Sequence, residues 1–69
     1  MYIMSSPKFE IGQRVNRKEE RDVVGAVILE YLELNNQITY KIQYDEGITE
    51  GANDGTGWWF EEYLEAENN

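Results

Sequence analysis

Nine aromatic side chains in a 69-residue chain are the first candidates for chemistry: Tyr2, Phe9, Tyr31, Tyr40, Tyr44, Trp58, Trp59, Phe60 and Tyr63. An exposed ring is a good anchor for a protein partner, because it offers large contact area with few rotors to freeze. In strand geometry Trp58 and Phe60 point one way and Trp59 the other, so one tryptophan of the pair is expected at the surface. Trp59, Tyr31, Tyr44 and Tyr63 are taken as the aromatic members of a partner-binding site, with Asp45 and Glu46 supplying charge beside them. The bland alternative is that most of these rings complete a small core.

Two carboxylate groupings follow. Asp45, Glu46, Glu50, Asn53 and Asp54 place oxygen donors around one loop, but the full alternation of a calcium loop and its final glutamate are absent. Turn formation, with the acids accepting amide hydrogen bonds, is the simpler reading. Glu61, Glu62, Glu65 and Glu67 form the densest acidic cluster. They read as a solvated face, or as carboxylates placed like phosphates on a mimic of nucleic acid.

Catalysis is not expected. The chain has no histidine and no cysteine, which removes the usual general base near neutral pH, thiolate nucleophiles and the commonest transition-metal ligands. A chain of 69 residues also offers little concave volume in which paired carboxylates would have their pKa values shifted. No metal or cofactor is expected.

The net charge is −8, unevenly spread: residues 1–21 carry a net +2 and residues 22–69 a net −10. Most of this surface would repel a phosphate backbone, so nucleic acid is disfavoured, apart from a local patch in the basic N-terminal third. A protein partner with a basic surface fits the acidity better. No apolar run approaches the roughly 20 residues of a membrane-spanning helix, since Val23 to Leu29 is interrupted by Gly25. A secretory signal pattern is not seen at the N-terminus, and a cytoplasmic location is the default expectation.

The elements that must position these groups read as short strands. Phe9 and Ile11 can share a face before a bend at Gly12, with Val15 inward on the strand that follows. RKEERD at 17–22 reads as a solvent-exposed connection. VVGAVILEYLEL at 23–34 is the most apolar segment and the expected centre of the sheet, with a helix as the competing reading. Its β-branched residues favour the strand, and Gly25 would suit a bulge. Asn35-Asn36 makes a turn. Ile38, Tyr40, Ile42 and Tyr44 then alternate as inward ribs, followed by a long hairpin tip and a Trp58–Phe60 strand. Glu61–Leu64 suits a single 3₁₀ turn, with Leu64 closing the end. A leader at 1–8, a domain at 9–65 and a polar tail at 66–69 complete the division. The expected class is all-β: a small barrel of about five antiparallel strands, the fifth drawn from the leader or the tail.

The order of features resembles the small SH3-like barrels, with their Tudor-like and KOW-like relatives. It rests on Phe9, Gly12 and Val15, on Gly25 and Val27, on Tyr44, Asp45 and Gly47, and on Trp59, Phe60, Glu62 and Leu64. The likeness spans residues 9 to 65. It implies an adaptor, a reader of methylated residues, a nucleic-acid module or a subunit of a larger complex. In a reader, Trp59, Tyr31, Tyr44 and Tyr63 would wall a cage for a methylated ammonium, with Asp45 or Glu46 as its charge. The loop at 48–57 is long for this family and the basic decoration of RNA-binding relatives is missing. The leading expectation is a non-catalytic protein-interaction module or small subunit. The alternatives are a Tudor-like reader, a nucleic-acid module and an acidic nucleic-acid mimic that inhibits a basic enzyme. An apolar edge or exposed tryptophan would also let two copies pair as a homodimer.

Overall fold

A computed structural model describes residues 7–19, 22–45 and 55–67. Five strands follow one another: β1 (Arg14–Glu19), β2 (Asp22–Leu34), β3 (Gln37–Tyr44), β4 (Thr56–Phe60) and β5 (Leu64–Ala66), with a 3₁₀ turn at Glu61–Tyr63 between the last two. They form one antiparallel sheet in the order β4-β3-β2-β1-β5. The expected all-β class, strand number and C-terminal turn are therefore found. No described helix is long and apolar enough to cross a membrane.

β2 makes the sheet curl. Its first half, Asp22–Val27, pairs with β1, and its second, Ala26–Leu34, pairs with β3. Only Ala26 and Val27 are shared, so the strand is gripped from opposite sides at its two ends. The bulge that assists the bend lies at Leu29, between the pairs Ile28/Ile42 and Glu30/Lys41, and not at Gly25 as the sequence suggests. One inserted residue switches the parity of the strand. Val24, Ala26 and Ile28 face the core, and beyond the bulge Tyr31, opposite Tyr40, takes up the inner face.

β3 is the central rib. Ile38, Tyr40, Ile42 and Tyr44 are all buried, as their alternation predicts, and join Phe9, Val15, Val24, Ala26, Ile28 and Leu64 in one core. The Asn35-Asn36 turn that precedes it has both residues at positive φ, 53° and 66°. This is the backbone that a two-residue hairpin loop requires, and asparagine tolerates it better than most side chains.

Two further expectations are corrected and a third is decided. RKEERD is not wholly a connection: Arg17, Lys18 and Glu19 continue β1, and Arg17 alternates inward with Val15 to be 1% exposed. Ile11 does not share the buried face of Phe9. It sits in a turn closed by Gln13 N–H donating to Glu10 O at 3.0 Å, with Gly12 at φ 90°, and its side chain is exposed. Of the two sources expected for the fifth strand, the C-terminal end supplies it, with Ala66 of β5 opposite Val15. The hairpin tip at 46–54 and the leader at 1–6 lie outside the described residues.

Candidate functional site

The register places Tyr31, Tyr40 and Trp59 in one row across the inner face, Tyr40 in the middle. Two strand spacings put Tyr31 and Trp59 about 10 Å apart. Tyr40 fills the gap, with its ring centroid 6.0 Å from Tyr31 and 5.4 Å from Phe9. Tyr31 instead lines a shallow hollow with Pro7, Phe9, Glu10 and Ile11. The four aromatic residues singled out from the sequence therefore do not converge on one site.

Three of them do meet. Trp59 packs on the core, donates from Nε1 to Tyr44 Oη at 2.7 Å and lies edge-on to Tyr63, with ring centroids 5.5 Å apart. This is the beginning of an aromatic cage, and the chain fills it with its own cation. The Arg17 guanidinium lies 4.8 Å from the Trp59 ring centroid and 6.0 Å from that of Tyr44. A planar, weakly hydrated guanidinium suits such a buried stacked position better than an ammonium does. β1 thereby touches β4 across the interior, although the two strands are not neighbours in the sheet.

Asp45 is also engaged. Arg14 donates to it through two bonds, Nη1 to Oδ1 at 2.6 Å and Nη2 to Oδ2 at 2.7 Å, and grips Glu67 through Nε at 3.2 Å and Nη2 at 2.8 Å. The guanidinium holds the Asp45 carboxyl below the usual carboxylate range, and the two acids push Arg14 higher still. Gly25 explains itself here. A Cβ on it would run into Asp45 Oδ2 and come within 3.1 Å of Arg14 Nη2, so the glycine makes room for this clasp. Glu46 lies outside the described residues, as do Glu50, Asn53 and Asp54 of the loop. Among the described residues no group of three or more acids is placed to hold a metal ion.

A second polar knot ties the segment before β1 to the 3₁₀ turn through β3. Tyr40 Oη accepts from the Lys8 N–H at 2.9 Å and the Phe9 N–H at 3.3 Å, and donates to Glu61 Oε2, which also accepts from Lys8 N–H at 2.9 Å. Burial and the carboxylate together push the Tyr40 phenol up to about 12.

The exposed tryptophan is Trp58, not the Trp59 chosen from the sequence. Trp58 is 45% exposed and Phe60 36%, both on the outer face of β4. Across β3 they stand opposite Lys41 and Thr39, which are opposite Glu30 and Leu32 of β2. Leu32 and Leu34 are 42% and 49% exposed, so apolar side chains extend across the outer face at this end of the sheet. Thr39, between Leu32 and Phe60 in the pairing, is buried. Alternation predicts one outward tryptophan but cannot say which, because the long loop at 46–54 hides the register of β4 against β3.

Comparison of the chain with protein-family models, with curated proteins and with solved structures finds no match.

Proposed function

We propose that this protein is a non-catalytic protein-interaction module that binds a basic partner through the outer face of β2, β3 and β4. The observation that carries the reading is the contrast between the two faces of β4. Trp59 is packed, bonded and stacked, while Trp58 and Phe60 are exposed on the outer face that, across β3, also carries Leu32 and Leu34. Contiguous exposed apolar groups on a small domain mark an interaction surface more often than chance, and aromatic residues are the usual anchors. The net charge of −8, with Glu30 on this face opposite Lys41 and Glu62 lining a hollow with Phe60, favours a partner of opposite sign. The strand order β4-β3-β2-β1-β5 with a 3₁₀ turn before the last strand supports an SH3-like architecture, whose members often act as adaptors.

A reader of methylated residues is less well supported, because Arg17 occupies the space between Trp59 and Tyr44 that a methylated ammonium would need. The deciding experiment is co-purification from the native cell with the wild type and Trp58→Ala. Retention of a basic protein by the wild type and its loss from the variant supports the reading. A partner retained equally by both removes this face from the function.

A further inference from the structure

The partner's conformation can be read from the hydrogen-bond phase of β4. Tyr44 N–H donates to Gly55 O at 2.9 Å. In an antiparallel ladder, hydrogen-bonded and non-hydrogen-bonded pairs alternate. Tyr44/Gly55 being bonded, Ile42/Gly57 and Tyr40/Trp59 are the bonded pairs, and Lys41/Trp58 and Thr39/Phe60 are not. The backbone N–H and C=O groups of Trp58 and Phe60 therefore point away from β3. The Phe60 C=O accepts the first bond of the 3₁₀ turn, whereas the N–H and C=O of Trp58 and the N–H of Phe60 lie along an edge that carries no further strand among the described residues. The same two residues carry the exposed rings.

Open edges are usually guarded by lysine, proline, a bulge or an inward charge. β4, Thr-Gly-Trp-Trp-Phe, has none of these. Resting on the protein-binding reading above, we propose that the partner adds as a further β-strand along the β4 edge: an extended segment with apolar residues at alternate positions, flanked by lysine or arginine. Its backbone would bond the N–H and C=O of Trp58 and the N–H of Phe60, and its apolar side chains would lie beside the two rings. The flanking cations follow from charge. Immediately after Phe60 the chain turns through Glu61 and Glu62, which line a hollow with Phe60, Gln37 and Ile38. A basic side chain leaving the added strand would reach Glu62 there. A second copy of the chain suits the edge less well, since it would bring another net −8 and its own Glu61-Glu62 turn to the same place.

The probe is a synthetic peptide alternating valine and threonine between pairs of lysines, titrated into isotopically labelled protein and followed by amide exchange. Protection should rise at the Trp58 and Phe60 amides and stay unchanged at Gly57 and Trp59, whose groups already face β3. Two variants separate backbone from side chain. Phe60 has φ −67°, which proline adopts without strain, so Phe60→Pro removes the outward N–H while Phe60→Leu keeps it. Phe60→Pro should weaken binding about tenfold relative to Phe60→Leu, the loss expected for one hydrogen bond. Equal affinity of the two variants, or ring shifts without amide protection, overturns strand addition and leaves face docking standing. No binding of the lysine-flanked peptide, or equal binding of a glutamate-flanked one, overturns the inference without touching the co-purification test. Concentration-dependent doubling of mass, with the same two amides protected in the absence of peptide, would assign the edge to a second copy and overturn it as well.

Discussion

The Arg17 guanidinium stacks 4.8 Å from the centre of the Trp59 ring, and this contact joins two strands, β1 and β4, that share no ladder. It is both a closure of the curled sheet and an internal occupant of the aromatic site. Arg17→Ala removes the stacked stem and leaves Trp59 and Tyr44 facing a void. A loss of about 2–4 kcal/mol is expected, as for other large-to-small changes at a buried site, measured by urea unfolding. Arg17→Lys should recover only part of it, because an ammonium cannot stack as a planar guanidinium does.

The same contact predicts how the protein treats methylated ligands. A trimethyllysine peptide titrated into the wild type should leave the indole N–H resonance of Trp59 unmoved, since that N–H is bonded to Tyr44 and the ring face is covered by Arg17. A saturable shift at this resonance would show that Arg17 yields its place, and would restore the reader as the better function.

Gly57 faces inward opposite Ile42, and a Cβ on it would stand 2.9 Å from Tyr44 Oη and 3.3 Å from Trp59 Nε1. Gly57→Ala must therefore push apart the Tyr44–Trp59 hydrogen bond or shift β4. The cost should be about 1–3 kcal/mol, the usual range for overpacking. In the double variant Gly57→Ala with Tyr44→Phe the two losses should fall short of additive, since the phenol oxygen that the methyl group meets is gone. Full additivity in urea titrations would mean that the clash is elsewhere.

Both pH limbs of stability have named groups. The Tyr40 phenol is raised to about 12, so its contribution is complete below the unfolded value of about 10 and is lost as pH climbs between the two. Asp45 is lowered by Arg14, so its contribution is present above the unfolded carboxyl value of about 4 and is lost as pH falls through the depressed one. Urea midpoints across pH should show both losses. Tyr40→Phe should flatten the alkaline limb, and Asp45→Asn should weaken the acid one. An unchanged alkaline limb in Tyr40→Phe would place that titration on another group.

The sequence was most legible where one period ran unbroken. β3 alternates four large side chains over its length, and a slip by one residue would expose all of them, so its register is pinned from within. The parity of β2 was hidden because its bulge falls at Leu29, a residue with no bulge preference, while Gly25 attracted the expectation for a different reason, the close approach of Asp45 and Arg14. Arg17 is hidden in the sequence because a charged run reads as a loop. Its spacing of two from buried Val15 was the available signal, overridden by the rarity of buried arginine. Which tryptophan faces outward is hidden for a similar reason: two adjacent tryptophans satisfy either phase equally well, and only pairing with β3 decides between them.

That single-residue phase makes the sharpest stability contrast in the chain. Trp59 is packed on the core, stacked by Arg17 and Tyr63, and bonded to Tyr44; Trp58 stands in solvent opposite Lys41. Trp59→Ala should cost about 2–4 kcal/mol, the lower part of the range for large core truncations because the ring is only partly buried. Trp58→Ala should cost under about 1 kcal/mol, within the range of surface changes, plus the modest loss of strand preference. The two variants are equal in composition, so denaturant midpoints compare them directly. Because Trp58→Ala keeps the fold, a lost partner in that variant reports on the binding face alone. Comparable destabilisation by both would mean that the outer ring is also covered, and that the face assigned to the partner is already filled by the chain itself.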